Sequence, residues 1–149
     1  MQRVTSLENV KLYIQKDPVR PHMKAESRIA LGREMYHIDE QAFICLAFLN
    51  KIPVSEDELL TSNVGDIAVA YTVWSLKKGL GRKIIFETQK HIQDTFRFSR
   101  LVTLSPKTEM AKKFHLSNGA TLLQESDHAY NFEYNIRLPL NLSNSAFLS

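Results

Sequence analysis

One cysteine in 149 residues excludes an internal disulfide, so packing and hydrogen bonding must hold this chain together without covalent bracing. Cys45 lies within the most apolar stretch, Ala42 to Leu49, and the burial preference of free cysteine makes it a core residue in preference to a nucleophile. That stretch is also the longest apolar run, far short of the roughly 20 residues that cross a bilayer. The start of the chain lacks the basic-then-apolar pattern of a signal peptide. These absences lead to the expectation of a soluble, cytoplasmic protein with no membrane partner. His22, His37, His91, His115 and His128 are scattered without metal-ligand spacing, so no metal is expected. A net charge of +3 is mild: it permits an anionic ligand without calling for nucleic acid, which would need a denser basic face with interleaved aromatics. Internal repeats and low-complexity linkers are missing too. What is present, 44% hydrophobic and 23% charged residues, is close to globular averages and points to one domain over residues 1–140 with a polar tail at 141–149.

The hydrophobic pattern divides the chain. Arg3 to Thr5 reads as a short strand, and Ser6 as the cap of a helix carrying Leu7, Val10, Leu12 and Ile14, ended by Asp17-Pro18. A second short helix is expected over Met23 to Leu31, stopped at Gly32. From Arg33 the period becomes two, and with AFICLAFLN this predicts a hairpin, its first strand half exposed and its second buried on both faces. Glu56 to Leu60 is one helical turn or a loop. Ile67 to Trp74 predicts a central strand, followed by a helix presenting Ile85, Ile92 and Phe96, and then a short strand, RLVTL, from Arg100. Strand, helix and strand make a β-α-β unit. Pro106 suits the first turn of a helix over about Lys107 to His115, with Asn118-Gly119 as its stop, and strands at Thr121 to Gln124 and Tyr130 to Leu138 complete the set. The fold class is α+β: a mostly antiparallel sheet of six to seven strands with one parallel unit, flanked by about four helices.

The chemistry concentrates in YTVWSLKKGLGRKII, Tyr71 to Ile85. A strand, a turn bearing Lys77, Lys78, Gly79, Gly81, Arg82 and Lys83, and then a helix form a phosphate cradle. The first helical turn has N–H groups without intrahelical partners, its dipole favours an anion, and glycines let the main chain approach closely.

Two stretches, in order, resemble the GNAT superfamily of N-acetyltransferases. LKKGLG, Leu76 to Gly81, is similar to the family's Gln/Arg-x-x-Gly-x-Gly/Ala turn between strand and helix. TEMAKKFHLSNGA, Thr108 to Ala120, is similar to its later Asn-x-x-Ala-x-x-Leu-Tyr-x-x-x-Gly-Phe helix. The wording around both pieces also resembles acetyltransferase-like proteins encoded by bacteriophages. The resemblance implies acetyl-CoA as co-substrate and transfer of its acetyl group to a primary amine of a small molecule or protein, by direct attack on the thioester. It implies cofactor contacts from Tyr71, Thr72, Val73, Lys78, Gly79, Leu80, Gly81, Arg82, Lys83 and Thr108, with the pyrophosphate on main-chain N–H groups from Lys78 to Lys83. It further implies a sheet splayed beside the central strand, with the thioester between Ala70 to Val73 and the strand ending near Leu104.

Four positions depart from the family pattern. Leu76 replaces the usual Gln/Arg, Thr108 the usual Asn, His115 the tyrosine that often protonates the departing CoA sulfur, and Ala120 the usual aromatic, the last a matter of packing. An imidazolium could do that work, its ordinary pKa being near 6.5, so His115 is the candidate acid and the alternative is a histidine that caps or packs. Asp66 is the leading candidate base, beside Glu58 and Glu109; each competes with a solvated surface role. An inactive GNAT-like binding or structural protein is the competing reading. A nucleic-acid module using the basic turn with Lys107, Lys112 and Lys113 ranks behind both, because its cations fall into two pieces. A monomer or homodimer is expected.

Overall fold

The computed structural model describes residues 1–136, over which eight strands and five helices form. In chain order they are β1 (Gln2–Val4), α1 (Leu7–Ile14), α2 (Ala25–Arg28), β2 (Arg33–Ile38), β3 (Ala42–Leu49), α3 (Glu56–Thr61), β4 (Ile67–Ser75), α4 (Leu80–Thr95), β5 (Arg100–Thr103), β6 (Ser105–Pro106), α5 (Glu109–Ser117), β7 (Thr121–Glu125) and β8 (Ala129–Tyr134). The last two residues of the final predicted strand, 137 and 138, and the polar tail lie outside the described residues. No described helix is long and apolar enough to cross a membrane.

The strands make one sheet in the order β1-β2-β3-β4-β5-β8-β6, with β7 on the other side of β8. Neighbours are antiparallel except β4 and β5, which run parallel because α4 carries the chain back between them. Every side chain of β3 is buried, as its uninterrupted apolar pattern requires of a strand covered on both faces. One face carries Val10 and Tyr13 of α1, with Met35, Cys45, Val69, Tyr71 and Trp74 from the strands. The other lies under α4 and joins Ile44, Leu46, Ala68 and Ala70 to Ile84, Ile85 and Ile92, with Val73 packed against them. Each large side chain so buried stabilises the fold by roughly 1.5–3 kcal/mol.

Two irregularities prepare the site. Between β3 and β4 the register slips: Cys45 faces Thr72 and Leu46 faces Ala70, leaving Tyr71 as the extra residue of a β-bulge. Between β4 and β5 the ladder stops at Ala70 and Thr103, closed by one more bond from Leu104 N–H to the Ala70 carbonyl at 3.0 Å. Beyond that point β4 continues to Ser75 without β5 beside it.

The local signals set most boundaries. Ser6 caps α1 by accepting from Asn9 N–H, and Ser55 caps α3, a full helix, by accepting from Glu58 N–H. Three expectations change. The helix expected over Met23 to Leu31 holds only for Ala25–Arg28, because Ile29 leaves helical geometry at φ −131°. Pro106 pairs with Ala129 in β6, so α5 starts at Glu109, two residues later than expected: Thr108 Oγ1 accepts from Ala111 N–H and caps it. Phe96 is 61% exposed rather than core-facing, because α4 ends at Thr95 and Phe96 takes a left-handed φ of 60°. Phe98 fills the core instead, stacked on Phe48 with ring centroids 4.4 Å apart.

Candidate functional site

Gly79 opens α4 at φ +88°, and a Cβ there would meet no atom within 4 Å, so the backbone conformation is what calls for glycine. Leu80 N–H bonds the Lys77 carbonyl and Lys83 N–H the Gly79 carbonyl, while the first-turn N–H groups between them have no intrahelical acceptor. Lys77, Lys78, Arg82 and Lys83 are exposed around this helix end. Gly81 marks where α4 meets its neighbours: a Cβ there would stand 3.4 Å from both the Phe114 ring and Ser75 Oγ, at the edge of ordinary contact. α4, α5 and β4 converge at this point.

From that contact a cavity of about 510 Å³ runs into the splay. Its walls are β4 from Ala70 to Ser75, the chain from Leu104 to Pro106, one face of α5 including Thr108, Met110, Phe114 and His115, and Pro18 and Val19 of the loop after α1. Tyr71, Thr72, Val73, Gly81, Thr108 and His115 are thus brought to one cavity. Lys78, Gly79, Leu80, Arg82 and Lys83 stand outside its lining, next along the chain from Gly81. Thr72 Oγ1 and Trp74 Nε1 are buried on its β4 wall without a hydrogen-bond partner among the described residues. No carboxylate, ammonium or guanidinium is among the described lining residues.

Asp66 is not brought to the cavity. It is exposed at the opposite end of β4, four residues before Ala70, a separation of about 13 Å at the strand rise. Glu58 is engaged elsewhere, accepting from Val54 N–H at 3.0 Å and pairing with Lys51 at 3.4 Å; that backbone bond is the main cause holding its carboxyl below the usual range. Glu109 is exposed in the first turn of α5.

His115 lines the cavity in a different state from the one the imidazolium role needs. It is 6% exposed, stacked on Phe132 at 5.1 Å, and burial pushes its pKa down to about 4, so the ring is neutral near pH 7. Its Nδ1 shares a 2.7 Å hydrogen bond with Tyr134 Oη, a phenol that burial holds protonated. A neutral imidazole can still donate or accept one hydrogen bond through Nε2, with Tyr134 fixing which. Cys45 is fully buried with its thiol pushed up to about 11 by burial, in keeping with a core role.

Two residues at the site escaped the sequence. Tyr134 belongs to the alternation Phe132, Tyr134, Ile136, which signals a face and not a partner. Arg20 sits in the unpatterned stretch between Pro18 and Pro21, yet it is 8% exposed and donates to the main chain of both splayed strands. The only signal was an arginine bracketed by prolines.

No family model and no curated protein matches the sequence. Solved structures do match in three dimensions. A putative GNAT-family acetyltransferase from Desulfovibrio desulfuricans superposes with a TM-score of 0.61 at 12% identity, covering 91% of this chain and 98% of that one. GCN5 from Tetrahymena superposes at 0.59 and 14% identity, over 91% and 95% of the two chains. Malonyl-CoA decarboxylase from Agrobacterium vitis reaches 0.70 at 15% identity, covering 97% of this chain but only 62% of that longer protein. Identities this low speak for architecture alone, and the architecture is the GNAT fold.

Proposed function

We propose that the protein is an acyl-CoA-dependent N-acetyltransferase that moves an acetyl group from acetyl-CoA to a primary amine of a small molecule or protein. The observation that carries this reading is the continuity of the cavity: it joins the free edge of β4 beyond the splay to the N-terminal turn of α4 through Gly81. Main-chain N–H groups of that turn, with Lys78, Arg82 and Lys83, would hold the pyrophosphate. The edge of β4 from Tyr71 to Val73, which has no strand beside it and of which Arg20 takes only the Tyr71 carbonyl, would pair with the pantetheine arm, and Thr108 would close the α5 side. The amine nitrogen attacks the thioester carbon, the C–S bond breaks, the amine gives up a proton and the CoA sulfur takes one. Neutral His115, oriented by Tyr134, supports the departing sulfur as a hydrogen-bond donor instead of an imidazolium acid. With no carboxylate in the lining, the amine's proton leaves through water.

Isothermal titration with acetyl-CoA and CoA tests the reading, with micromolar binding expected; no binding at millimolar ligand sinks it. Binding without thiol release across a panel of amines and peptides would favour the inactive, binding-only alternative. One observation supports another acyl-CoA reaction. A lining without a carboxylate suits chemistry that deprotonates no amine, and malonyl-CoA decarboxylases stand among the structural neighbours. Carbon dioxide release from malonyl-CoA, measured beside the amine panel, separates the two.

A further inference from the structure

The loop after α1 is held by a buried ion pair. The Asp17 carboxylate, with a side chain 0% exposed, accepts from Val19 N–H at 2.7 Å and Arg20 N–H at 3.0 Å through Oδ1, and from Arg28 Nη1 at 2.8 Å through Oδ2. Arg28, equally buried, donates through Nη2 to the Arg20 carbonyl at 2.7 Å. The backbone of Arg20 is therefore gripped at both its N–H and its C=O. Its side chain then reaches the sheet: Nε donates to the Tyr71 carbonyl at 2.9 Å and Nη2 to the Leu104 carbonyl at 3.0 Å, while Nη1 lies 3.8 Å from Glu56.

Those two carbonyls belong to the two strands that part here. Tyr71 is the bulged residue, and its buried carbonyl takes this donor from outside the sheet. A guanidinium is planar and its donors are fixed relative to one another, so a fork with two prongs engaged sets the spacing of what it holds. Arg20 does not line the cavity; Pro18 and Val19, two and one residues before it, do. We propose that Arg20 is a positioning residue that sets the gap between β4 and β5 at the depth where the acyl group lies. This rests on the acyl-CoA reading of the cavity.

The test uses Arg20→Met, which keeps the stem and removes both prongs, and Arg20→Lys, which keeps the charge and at most one prong. Amide hydrogen exchange is followed at Tyr71 to Val73 and at Leu104 and Ser105, and CoA and acetyl-CoA are titrated into each full-length variant. In Arg20→Met, exchange at those amides rises and the ratio of acetyl-CoA to CoA affinity falls, each about tenfold, with CoA affinity itself kept within about twofold; these sizes follow from losing charge-assisted hydrogen bonds. Arg20→Lys falls between, and carries the test alone if the methionine variant does not fold. A residue that merely stabilised the fold would change both affinities together. An unchanged ratio and unchanged exchange in the folded variants overturn the proposal. If the wild type binds neither ligand, the acyl-CoA reading fails by itself, and exchange alone then decides: faster exchange confined to the two segments retains Arg20 as the spacer, and unchanged exchange removes it.

Discussion

The two ends of the cavity are built on opposite principles. At the α4 end, glycines and exposed cations adjacent in sequence make the site, and nothing distant is needed beyond the Phe114 and Ser75 contacts of Gly81. At the inner end, Asp17, Arg20 and Arg28 reach residues as far off as Tyr71 and Leu104, and the ion pair is wholly buried. A site made of neighbours tolerates change in the rest of the fold and fails in binding. One made of distant parts fails in folding first.

The sharpest way to break this contrast is at the inner end. Arg28→Met leaves the Asp17 carboxylate buried without its cation, and a loss of roughly 3–5 kcal/mol in denaturant unfolding is expected. The double variant Asp17→Leu, Arg28→Met should recover much of it, because replacing a buried pair whole costs far less than halving it. A double variant as unstable as the single one would show that the hydrogen bonds to the Arg20 backbone, and not the charge balance, matter most.

His115, between the two ends, provides a pH-dependent measure. Its pKa near 4 in the folded protein lies below the unfolded value, so the unfolded chain binds more protons between them. Stability is therefore full above about pH 6.5 and falls as pH drops toward 4, by on the order of 3 kcal/mol. Unfolding free energies measured from pH 7 to 4 should show this slope, and His115→Phe should flatten it. The same slope in the variant would place the titration elsewhere.

At the α4 end the expected losses are in affinity. Gly79→Glu and Gly81→Glu should each weaken CoA binding a hundredfold or so by putting bulk and negative charge into the helix start, with Gly81→Glu also pushing on Phe114. Retained affinity in both would move the phosphate site away from α4. Smallest of all, Lys78→Ala and Arg82→Ala should each cost about 0.5–1 kcal/mol of CoA affinity, shrinking as salt is raised. Salt-independent losses would argue for packing instead of charge.

How much could be read in advance follows the same divide. The Gly-x-Gly turn, the cap at Ser6 and the doubly covered run at Ala42–Leu49 were legible because each depends on residues within a few positions. Arg20, Arg28 and Tyr134 were not, because a buried polar residue looks like a surface one until its partners, up to 84 positions away, are in place. His115 was singled out in the sequence and lines the cavity, but its charge state was not legible, because Phe132, Tyr134 and the loss of water around the ring set it. Phe96 was misplaced because periodicity does not say where a helix ends.

The bulge at Tyr71 also sets the parity of its strand. Before it, Ala68 and Ala70 face α4 and Val69 and Tyr71 face away; after it, odd-numbered Val73 joins the α4 side and even-numbered Trp74 the other. The strand thus carries a frame shift in space. Flattening the bulge at unchanged length, so that β4 alternated unbroken from Ile67, would turn every later side chain, Thr72 and Trp74 included, to the opposite face, whereas deleting Tyr71 itself would leave them on the faces they have. The bulge is as much a part of the site as any side chain that lines it.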